Sequence, residues 1–174
     1  MQYREPGFDT LVRSIVYQQV SGKVARVFIA RLEKAAGGAM TPEAILKLRP
    51  SRMRALGLSA AKTLYIRDLA RRTRDGNINF DALPHCADEH VLETLTAVKG
   101  IGVWTAQMFL MFALRRPDVF PTGDLGIRKA MMLAYKLPAM PLAPEMERLA
   151  QPWRPYRSVA SWYLWRSLEG DAEI

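Results

Sequence analysis

The chain has 174 residues, of which 49% are hydrophobic and 24% charged, a balance that is typical of a folded protein and argues against disorder. Its 25 Lys and Arg residues against 17 Asp and Glu residues give a net charge of +8, which indicates an anionic partner, nucleic acid first and an acidic membrane surface second. A single cysteine, Cys86, excludes an intrachain disulfide and a cysteine-ligated metal centre, and we expect no metal site. No run of residues approaches the roughly 20 apolar residues that span a bilayer, and the polar first residues lead us to expect no signal peptide. We therefore expect an intracellular, cytoplasmic protein that does not bind membranes.

Helical periodicity dominates the chain, and no run alternates in the manner of a strand, so we predict an all-α single domain over residues 1–174. Two helices are predicted first, one near 8–20 and one from the Ser21–Gly22 break to Gly37–Gly38. Three follow with capping residues: 42–48 capped by Thr41, a short helix capped by Ser51, and a longer one from Ser59 to about Arg74. Five more are predicted near 88–98, 103–114, 125–135, 144–151 and 156–169.

The stretch from Leu95 to Ala106 predicts a tight hairpin between two helices that together span 88–114. Gly100 and Gly102 flank Ile101, and two glycines around one apolar residue let the chain reverse and expose backbone N–H groups. Those N–H groups and the start of the second helix can hold a phosphate without reading a base sequence, with Lys99 as a neighbouring cation. The alternative is a helical hairpin whose glycines serve packing alone.

Ordered motifs along the chain resemble those of the helix-hairpin-helix DNA glycosylase superfamily, and of its 3-methyladenine DNA glycosylase II members in particular. They are the duplex-probing segment 17–23 (YQQVSGK), the hairpin 100–106 (GIGVWTA), the catalytic segment 120–129 (FPTGDLGIRK) and the C-terminal segments 153–158 (WRPYRS) and 162–165 (WYLW). The resemblance implies two interleaved helical lobes with a cleft between them. Several relatives carry an additional N-terminal α/β domain, which we do not expect in this chain. The resemblance also implies hydrolysis of the N-glycosidic bond of alkylated purines, such as 3-methyladenine and 7-methylguanine, in duplex DNA after base flipping.

Asp124 is the candidate catalytic residue that the resemblance implies. Cleavage of an N-glycosidic bond builds oxocarbenium character on the sugar, which a nearby carboxylate stabilises, and the same carboxylate can orient or deprotonate the attacking water. The alternative is that Asp124 only caps the helix that begins at Leu125, and the two roles are compatible.

Position 104 decides the type of reaction. Relatives that also cut the DNA backbone carry a lysine there as a Schiff-base nucleophile, whereas this chain has Trp104, and Lys99 stands at the wrong offset to replace that lysine. The resemblance therefore implies a monofunctional enzyme that leaves an abasic site and has no AP lyase activity.

The resemblance also implies a base pocket walled by aromatic side chains, because an indole face attracts a cationic or electron-poor alkylated purine by about 0.5–2 kcal/mol. The alternative for its tryptophans is an ordinary place in the core. Two positions where some family members carry aromatic rings are aliphatic here, which predicts a roomier pocket and a shifted lesion preference. The candidate pocket residues are Trp104, Trp165, Met108, Leu125 and Tyr156.

A polar side chain near residue 18 or 19 is expected to fill the gap that a flipped base leaves in the duplex, with Gln19 favoured. The alternative is hydrogen bonding at a helix end. Lys62 and Lys129 are further candidates for phosphate contacts. The predicted DNA-binding residues are Gln18, Gln19, Ser21, Lys23, Lys99, Gly100, Ile101, Gly102, Thr105 and Arg128.

No organic cofactor is implied, although the resemblance allows sodium or potassium at the hairpin carbonyls. We expect a monomer that acts on duplex DNA containing alkylated bases. Two other functions stay open, a catalytically inactive protein that binds alkyl lesions and a nonspecific helix-hairpin-helix DNA-binding protein. Asp124 argues against the first of these, and Trp104, Trp165 and the 18–21 segment argue against the second.

Overall fold

The structure is a computed structural model that describes residues 3–169, and ten α-helices make up most of that range. Their bounds are α1 Phe8–Tyr17, α2 Gly22–Ala35, α3 Pro42–Lys47, α4 Pro50–Ala55, α5 Ala60–Arg74, α6 Asp88–Thr96, α7 Val103–Phe112, α8 Leu125–Ala134, α9 Ala143–Ala150 and α10 Arg157–Ser167. Within the described range there is no strand, which confirms the prediction of an all-α chain. None of these helices is long and apolar enough to cross a membrane.

Capping residues set several of the helix starts. The Thr41 hydroxyl accepts a hydrogen bond from the Ala44 N–H group at 3.2 Å, and the Ser59 hydroxyl accepts one from Lys62 N–H at 3.1 Å, both as predicted. The prediction that Ser51 caps a helix is wrong. Pro50 begins α4 with Arg49 at the N-cap, because proline at the first helical position has no N–H group to satisfy.

The first helix ends at Tyr17 instead of continuing to about residue 20. Lys62, which is distant in sequence, caps the C-terminal end of this helix. Its ammonium donates to the carbonyl oxygens of Val16 at 2.8 Å and Gln18 at 2.6 Å. Gln19 then adopts a left-handed backbone conformation with φ +56°, which turns the chain into α2.

The chain divides into two compact units, of which the first is Arg4–Phe109 and the second contains Tyr3 and residues 110–169. In the first unit, α5 contacts α1, α3 and α4, and its buried side chains occupy the centre of the core. This central place makes α5 the element against which the rest of the first unit is positioned. The interleaving of lobes expected from the resemblance stays a prediction.

In the second unit, α8 contacts α10 around a separate apolar cluster. Its buried members are Phe120, Ile127, Met131, Met146 and Ala150, with Leu149, Trp153, Leu164 and Trp165 packed against them. The Phe120 and Trp153 rings meet edge to face with their centroids 5.7 Å apart.

A buried arginine fixes the segment before α8 to the start of α10. The Arg157 guanidinium donates to Asp118 Oδ1 and to Oδ2 at 3.0 Å, and also to Glu147 Oε2 at 3.0 Å. These hydrogen bonds from Arg157 hold the pKa of the Asp118 carboxyl below its usual value, although partial burial acts in the opposite direction. The Ser158 hydroxyl accepts from Val119 N–H and donates to the Arg116 carbonyl, which holds the same segment at a second point.

We expect Asp118→Asn to lower the free energy of unfolding by about 1–3 kcal/mol at pH 7, because it removes one of the two carboxylates that compensate the buried Arg157, the other being Glu147. The lowered pKa of Asp118 means that its stabilisation is present above the unfolded value of 3.8 and is lost as the pH falls through the folded value. The difference in the free energy of unfolding between wild type and variant, measured by urea unfolding, should therefore become smaller as the pH falls below 3.8. Asp81→Asn, which changes an exposed carboxylate in the 75–82 connection, is the matched control and should leave the free energy unchanged. A gap that stays constant from pH 7 down to pH 2.5, a range chosen to span the carboxylate titration, would contradict this account.

Candidate nucleic-acid interface and active site

Gly100 and Gly102 stand in different structural environments, and only one of them requires glycine. Gly100 has φ +81°, and a Cβ atom there would lie 2.1 Å from Cδ2 of the Tyr65 ring, so no other residue fits without displacement. Gly102 has no positive φ, and a Cβ atom built on it meets nothing within 4 Å. Gly100 is therefore required by the turn and its contact with α5, whereas Gly102 leaves open space beside the backbone.

The hairpin N–H groups fall into two classes. Lys99 N–H donates to Asp68 Oδ2 at 3.1 Å, and Ile101 N–H donates to the Val98 carbonyl at 3.1 Å. Within the described part of the chain, the N–H groups of Gly100 and Gly102 donate to no protein acceptor. Because Ile101 is buried and both glycines are exposed, these two donors face solvent around an anchored side chain.

Asp68, on α5, is the acceptor that fixes the hairpin to the first unit. It is only 7% exposed and accepts from Arg72 Nε at 3.1 Å and Arg71 Nη2 at 3.3 Å as well as from Lys99 N–H. Burial raises the pKa of Asp68, but the hydrogen bonds from Lys99 and Arg72 outweigh it and hold the pKa below its usual value. The Asp68 carboxylate therefore stays ionised and continues to accept the hydrogen bond from Lys99 N–H in the turn.

The loop of residues 18–21 is joined directly to the hairpin. Gln18 Nε2 donates to the Gly100 carbonyl at 2.9 Å, across 82 positions of sequence. Lys62 holds the other side of the loop through the Val16 and Gln18 carbonyls, and partial burial lowers the pKa of its ammonium. The Ser21 hydroxyl accepts from Val24 N–H at 3.4 Å and caps α2.

The remaining predicted residues of the first unit differ in exposure. Gln19 and Lys23 are exposed, and Gln19 stands at the left-handed turn between α1 and α2. On α7, Trp104 is 48% exposed, Met108 is half-buried one turn further along, and Thr105 is buried. Gln18 is thus hydrogen-bonded to the hairpin, whereas the side chain of Gln19 lies at the surface.

In the second unit, Asp124 caps α8 and is held in place by two donors. Its Oδ1 atom accepts from Ile127 N–H at 2.8 Å and from the Trp165 indole N–H at 2.9 Å, and the residue is 9% exposed. The capping role anticipated from the sequence is confirmed, and the indole donor adds a second constraint. A carboxylate oxygen with two N–H donors has a defined position.

Gly126 and Phe112 fit around this pair. A Cβ atom on Gly126 would lie 3.1 Å from Asp124 Oδ1 and 3.1 Å from Trp165 Cδ1, closer than a side chain normally approaches. The Phe112 ring packs on Trp165 with centroids 6.0 Å apart. The Trp165 ring is therefore held on one side by an aromatic contact and directed by its N–H group toward the carboxylate.

The other predicted residues of the second unit are more open. Leu125 and Tyr156 are 65% and 63% exposed, at the starts of α8 and α10. Arg128 is half-buried and its Nε donates to the Pro141 carbonyl at 3.1 Å, so part of its hydrogen-bonding capacity is used within the unit.

The predicted site residues thus form two local groups, one in each compact unit. Sequence reasoning missed Tyr65 and Asp68 and interpreted Lys62 as a phosphate contact, although in the structure Lys62 supports the 18–21 loop. It also missed the hydrogen bond from Trp165 to Asp124. The spacing of Lys62, Tyr65 and Asp68 along one helix was visible in the sequence, but their partners lie up to 46 positions away and gave no local signal.

Comparison with known proteins finds that residues 12–155 match the model of the HhH-GPD superfamily base excision DNA repair proteins. That range contains the 18–21 loop, the hairpin and the Asp124 segment, and it covers most of the chain.

Two solved structures are similar over nearly the whole chain. A DNA-3-methyladenine glycosidase of Bacillus halodurans is 36% identical with a TM-score of 0.86, covering 95% of this chain and 76% of that one. The 3-methyladenine DNA glycosylase Mag1 of Schizosaccharomyces pombe, in complex with abasic DNA, is 34% identical with a TM-score of 0.82, covering 97% and 83%. The Bacillus subtilis protein YfjP is 34% identical over 93% of this chain, and the chain spans 59% of the length of that relative.

The two hairpin glycines provide a matched pair of substitutions. We expect Gly100→Ala to lower the free energy of unfolding by about 2–4 kcal/mol, because it combines a strained φ with a clash against Tyr65. Gly102→Ala should change it by less than about 0.5 kcal/mol, because its Cβ atom enters open space. Urea unfolding of both variants checks this, and equal effects would show that the hairpin does not depend on the Tyr65 contact.

Proposed function

We propose that this chain, which belongs to the HhH-GPD superfamily of base excision DNA repair proteins, is a DNA glycosylase that removes alkylated purines from duplex DNA by hydrolysis. The observation that carries the proposal is the Asp124 carboxylate, fixed at the start of α8 by Ile127 N–H and the Trp165 indole. The similarity to 3-methyladenine glycosylases, one of them in complex with abasic DNA, supports the choice of substrate class.

Asp124 supplies the negative charge that the reaction needs. As the base leaves with the electron pair of the C1′–N bond, positive charge develops on the sugar, and a carboxylate with a fixed position stabilises it without reorganising. Water then adds to C1′ and loses its proton to the carboxylate or to solvent. Both hydrogen bonds to Oδ1 hold the carboxylate in one orientation during these steps.

The aromatic side chains suit an alkylated purine. Such a base is cationic or electron-poor, and the exposed ring of Trp104 offers a face that attracts it. A cationic base is a good leaving group, so no protein acid is needed to protonate it. Trp165 serves this proposal mainly by positioning Asp124, and the aliphatic Met108 and Leu125 favour a broad range of alkylated purines.

The proposed reaction stops at an abasic site. Strand cleavage by this kind of enzyme needs an amine nucleophile that forms a Schiff base, and position 104 carries an indole instead. Water is therefore the proposed nucleophile, and the proposal includes no AP lyase activity.

The hairpin and the 18–21 loop would bind the duplex around the lesion. The Gly100 and Gly102 N–H groups are available to a phosphate oxygen, with Lys99 adding charge. Gln19, exposed at the left-handed turn between α1 and α2, is the proposed plug for the gap left by the flipped base. Gln18 would instead join this plug to the phosphate-binding hairpin.

The hairpin carbonyls fit an alkali cation. Oxygen is the donor that Na⁺ and K⁺ prefer. The Val98 carbonyl accepts a hydrogen bond from Ile101 N–H at 3.1 Å and the Gly100 carbonyl accepts one from Gln18 Nε2 at 2.9 Å, so a second lone pair remains on each oxygen. A cation there would supply positive charge for a neighbouring phosphate, and no organic cofactor enters the proposal.

We expect Asp124→Asn to slow base release from methylated duplex DNA by at least about 100-fold, because it removes the charge that stabilises the transition state. Asparagine keeps an oxygen for both Ile127 N–H and Trp165 N–H, so folding and DNA binding should be retained. Single-turnover release of 3-methyladenine and 7-methylguanine, together with DNA affinity, measures this. Equal rates in both proteins would remove Asp124 from the mechanism. Release by neither, with DNA still bound, would favour a protein that only binds lesions.

We expect Trp165→Phe to lower the single-turnover rate about 10-fold while DNA affinity stays the same, because the variant keeps an aromatic ring but loses the N–H donor to Asp124. Trp162→Phe on the same helix is the control, since its ring contacts Tyr163 and Arg166 and not the carboxylate. If Trp165→Phe and Trp162→Phe have the same single-turnover rate, the indole hydrogen bond does not position Asp124.

A further inference from the structure

The short helix α4 lies between two basic grooves in the first unit. The α4–α5 groove, with a volume of about 410 Å³, is lined by Arg54, Arg67 and Arg71. The α2–α4 groove, of about 460 Å³, lies on the other side of α4. Its basic residues are Arg31, Lys34 and Arg52. Neither groove has an acidic residue in its lining.

Most of these cations have no partner in the fold. Arg67 donates to the Leu46 and Leu48 carbonyls, and Arg71 pairs with Asp68 at 3.3 Å. The side chains of the other four make no ion pair or hydrogen bond to the described residues. Those four residues are Arg31, Lys34, Arg52 and Arg54. Ion pairs and hydrogen bonds within the described residues therefore do not account for these four cations.

The charge of the whole chain is concentrated in this region. Residues 22–74 contain 13 Lys and Arg against 3 Asp and Glu, a net charge of +10, which exceeds the +8 of the complete chain. Of those three acidic residues, Glu33 pairs with Arg13 and Asp68 holds the hairpin, which leaves Glu43 on α3. The positive field over α4 is therefore not neutralised from within the segment.

The α4–α5 groove lies on a different face of α5 from Lys62 and Tyr65, although its Arg71 pairs with Asp68, the residue that holds the hairpin. Ala60, Leu64, Arg67 and Arg71 follow one another at the three- and four-residue spacing of one helix face. Lys62 and Tyr65, which contact the 18–21 loop and the hairpin, project on the other face. The α2–α4 groove is likewise remote from the loop, because about 18 Å of helix separate Gly22 from Lys34.

We propose that these two grooves form a second phosphate-binding surface that holds a segment of duplex DNA other than the one on the hairpin. The proposal rests on the proposed function, since it takes DNA as the anionic partner. Arginine without lining aromatic residues suits a phosphate backbone and not the stacked bases of a single strand. Thr63 is among the residues that line the α4–α5 groove, and its buried hydroxyl has no hydrogen-bond partner among the described residues.

The double variant Arg52→Gln/Arg54→Gln removes one free cation from each groove, and Arg4→Gln/Arg148→Gln removes the same charge from other exposed positions. For binding to a long undamaged duplex, we expect the slope of log Kd against log salt to fall by about 2 in the first variant, because each phosphate contact contributes about 0.9. The control variant should keep the wild-type slope. Base release from a short duplex, measured in parallel, should be the same in all three proteins.

A second readout tests for two duplex segments directly. The protein is bound to a labelled short duplex, and its dissociation rate is followed as unlabelled duplex is added. We expect the rate to rise with competitor concentration in the wild type and the control, because the second surface captures the competitor before release, and to stay flat in Arg52→Gln/Arg54→Gln.

An unchanged salt slope in the double variant, or a wild-type dissociation rate that ignores the competitor, would overturn the proposal. The proposal would also be overturned if Arg52→Gln/Arg54→Gln lost binding to a polyglutamate peptide while its DNA binding stayed unchanged. That result would assign the grooves to an acidic protein. Absence of base release in the wild type would instead count against the proposed function, because both binding readouts are independent of catalysis.

Discussion

The hydrogen bond from Lys99 N–H to the buried Asp68 carboxylate holds the hairpin turn against α5, and the neighbouring parts of the first unit depend on the same helix. Tyr65, one turn before Asp68, fills the space that Gly100 leaves open, and Lys62, nearly another turn before, holds the end of α1. One face of a central helix therefore positions both the hairpin and the loop of residues 18–21. Gln18 then closes the arrangement by donating to the hairpin itself.

The second unit uses a terminal helix in a similar way. Near its start, α10 holds the segment before α8 through Arg157 and Ser158, and near its end it directs the Trp165 indole to Asp124. The carboxylate is thus constrained by its own helix through the Ile127 N–H group and by α10 through the indole. Such constraint is what electrostatic stabilisation of a sugar cation requires, since a carboxylate that had to reorient during the reaction would lose part of its effect.

The sequence was sufficient for features that local chemistry determines. The all-helical secondary structure follows from the local spacing of apolar residues. The N-caps at Thr41, Ser59 and Asp124 likewise depend on residues within one helical turn. The error at Ser51 came from a competing local signal, the proline at position 50 that begins α4.

Long-range contacts explain what the sequence did not predict. The end of α1 depends on Lys62, and the hold on the hairpin depends on Asp68, 31 positions before its partner. Trp165 was predicted as a wall of the base pocket, but its hydrogen bond to Asp124 spans 41 positions and becomes visible only in the folded chain. Likewise, the net charge predicted an anionic partner, while the two grooves beside α4 became visible only when α2, α4 and α5 were packed together.

The activity proposed for this chain is hydrolysis of the glycosidic bond of an alkylated purine without cleavage of the DNA strand. Mass spectrometry of a duplex carrying a single 3-methyladenine, before and after incubation with the protein, tests it most directly. We expect free 3-methyladenine and an intact strand that has exchanged the base for a hydroxyl group. A strand cut at the lesion, or a strand that keeps its base while bound to the protein, would contradict it.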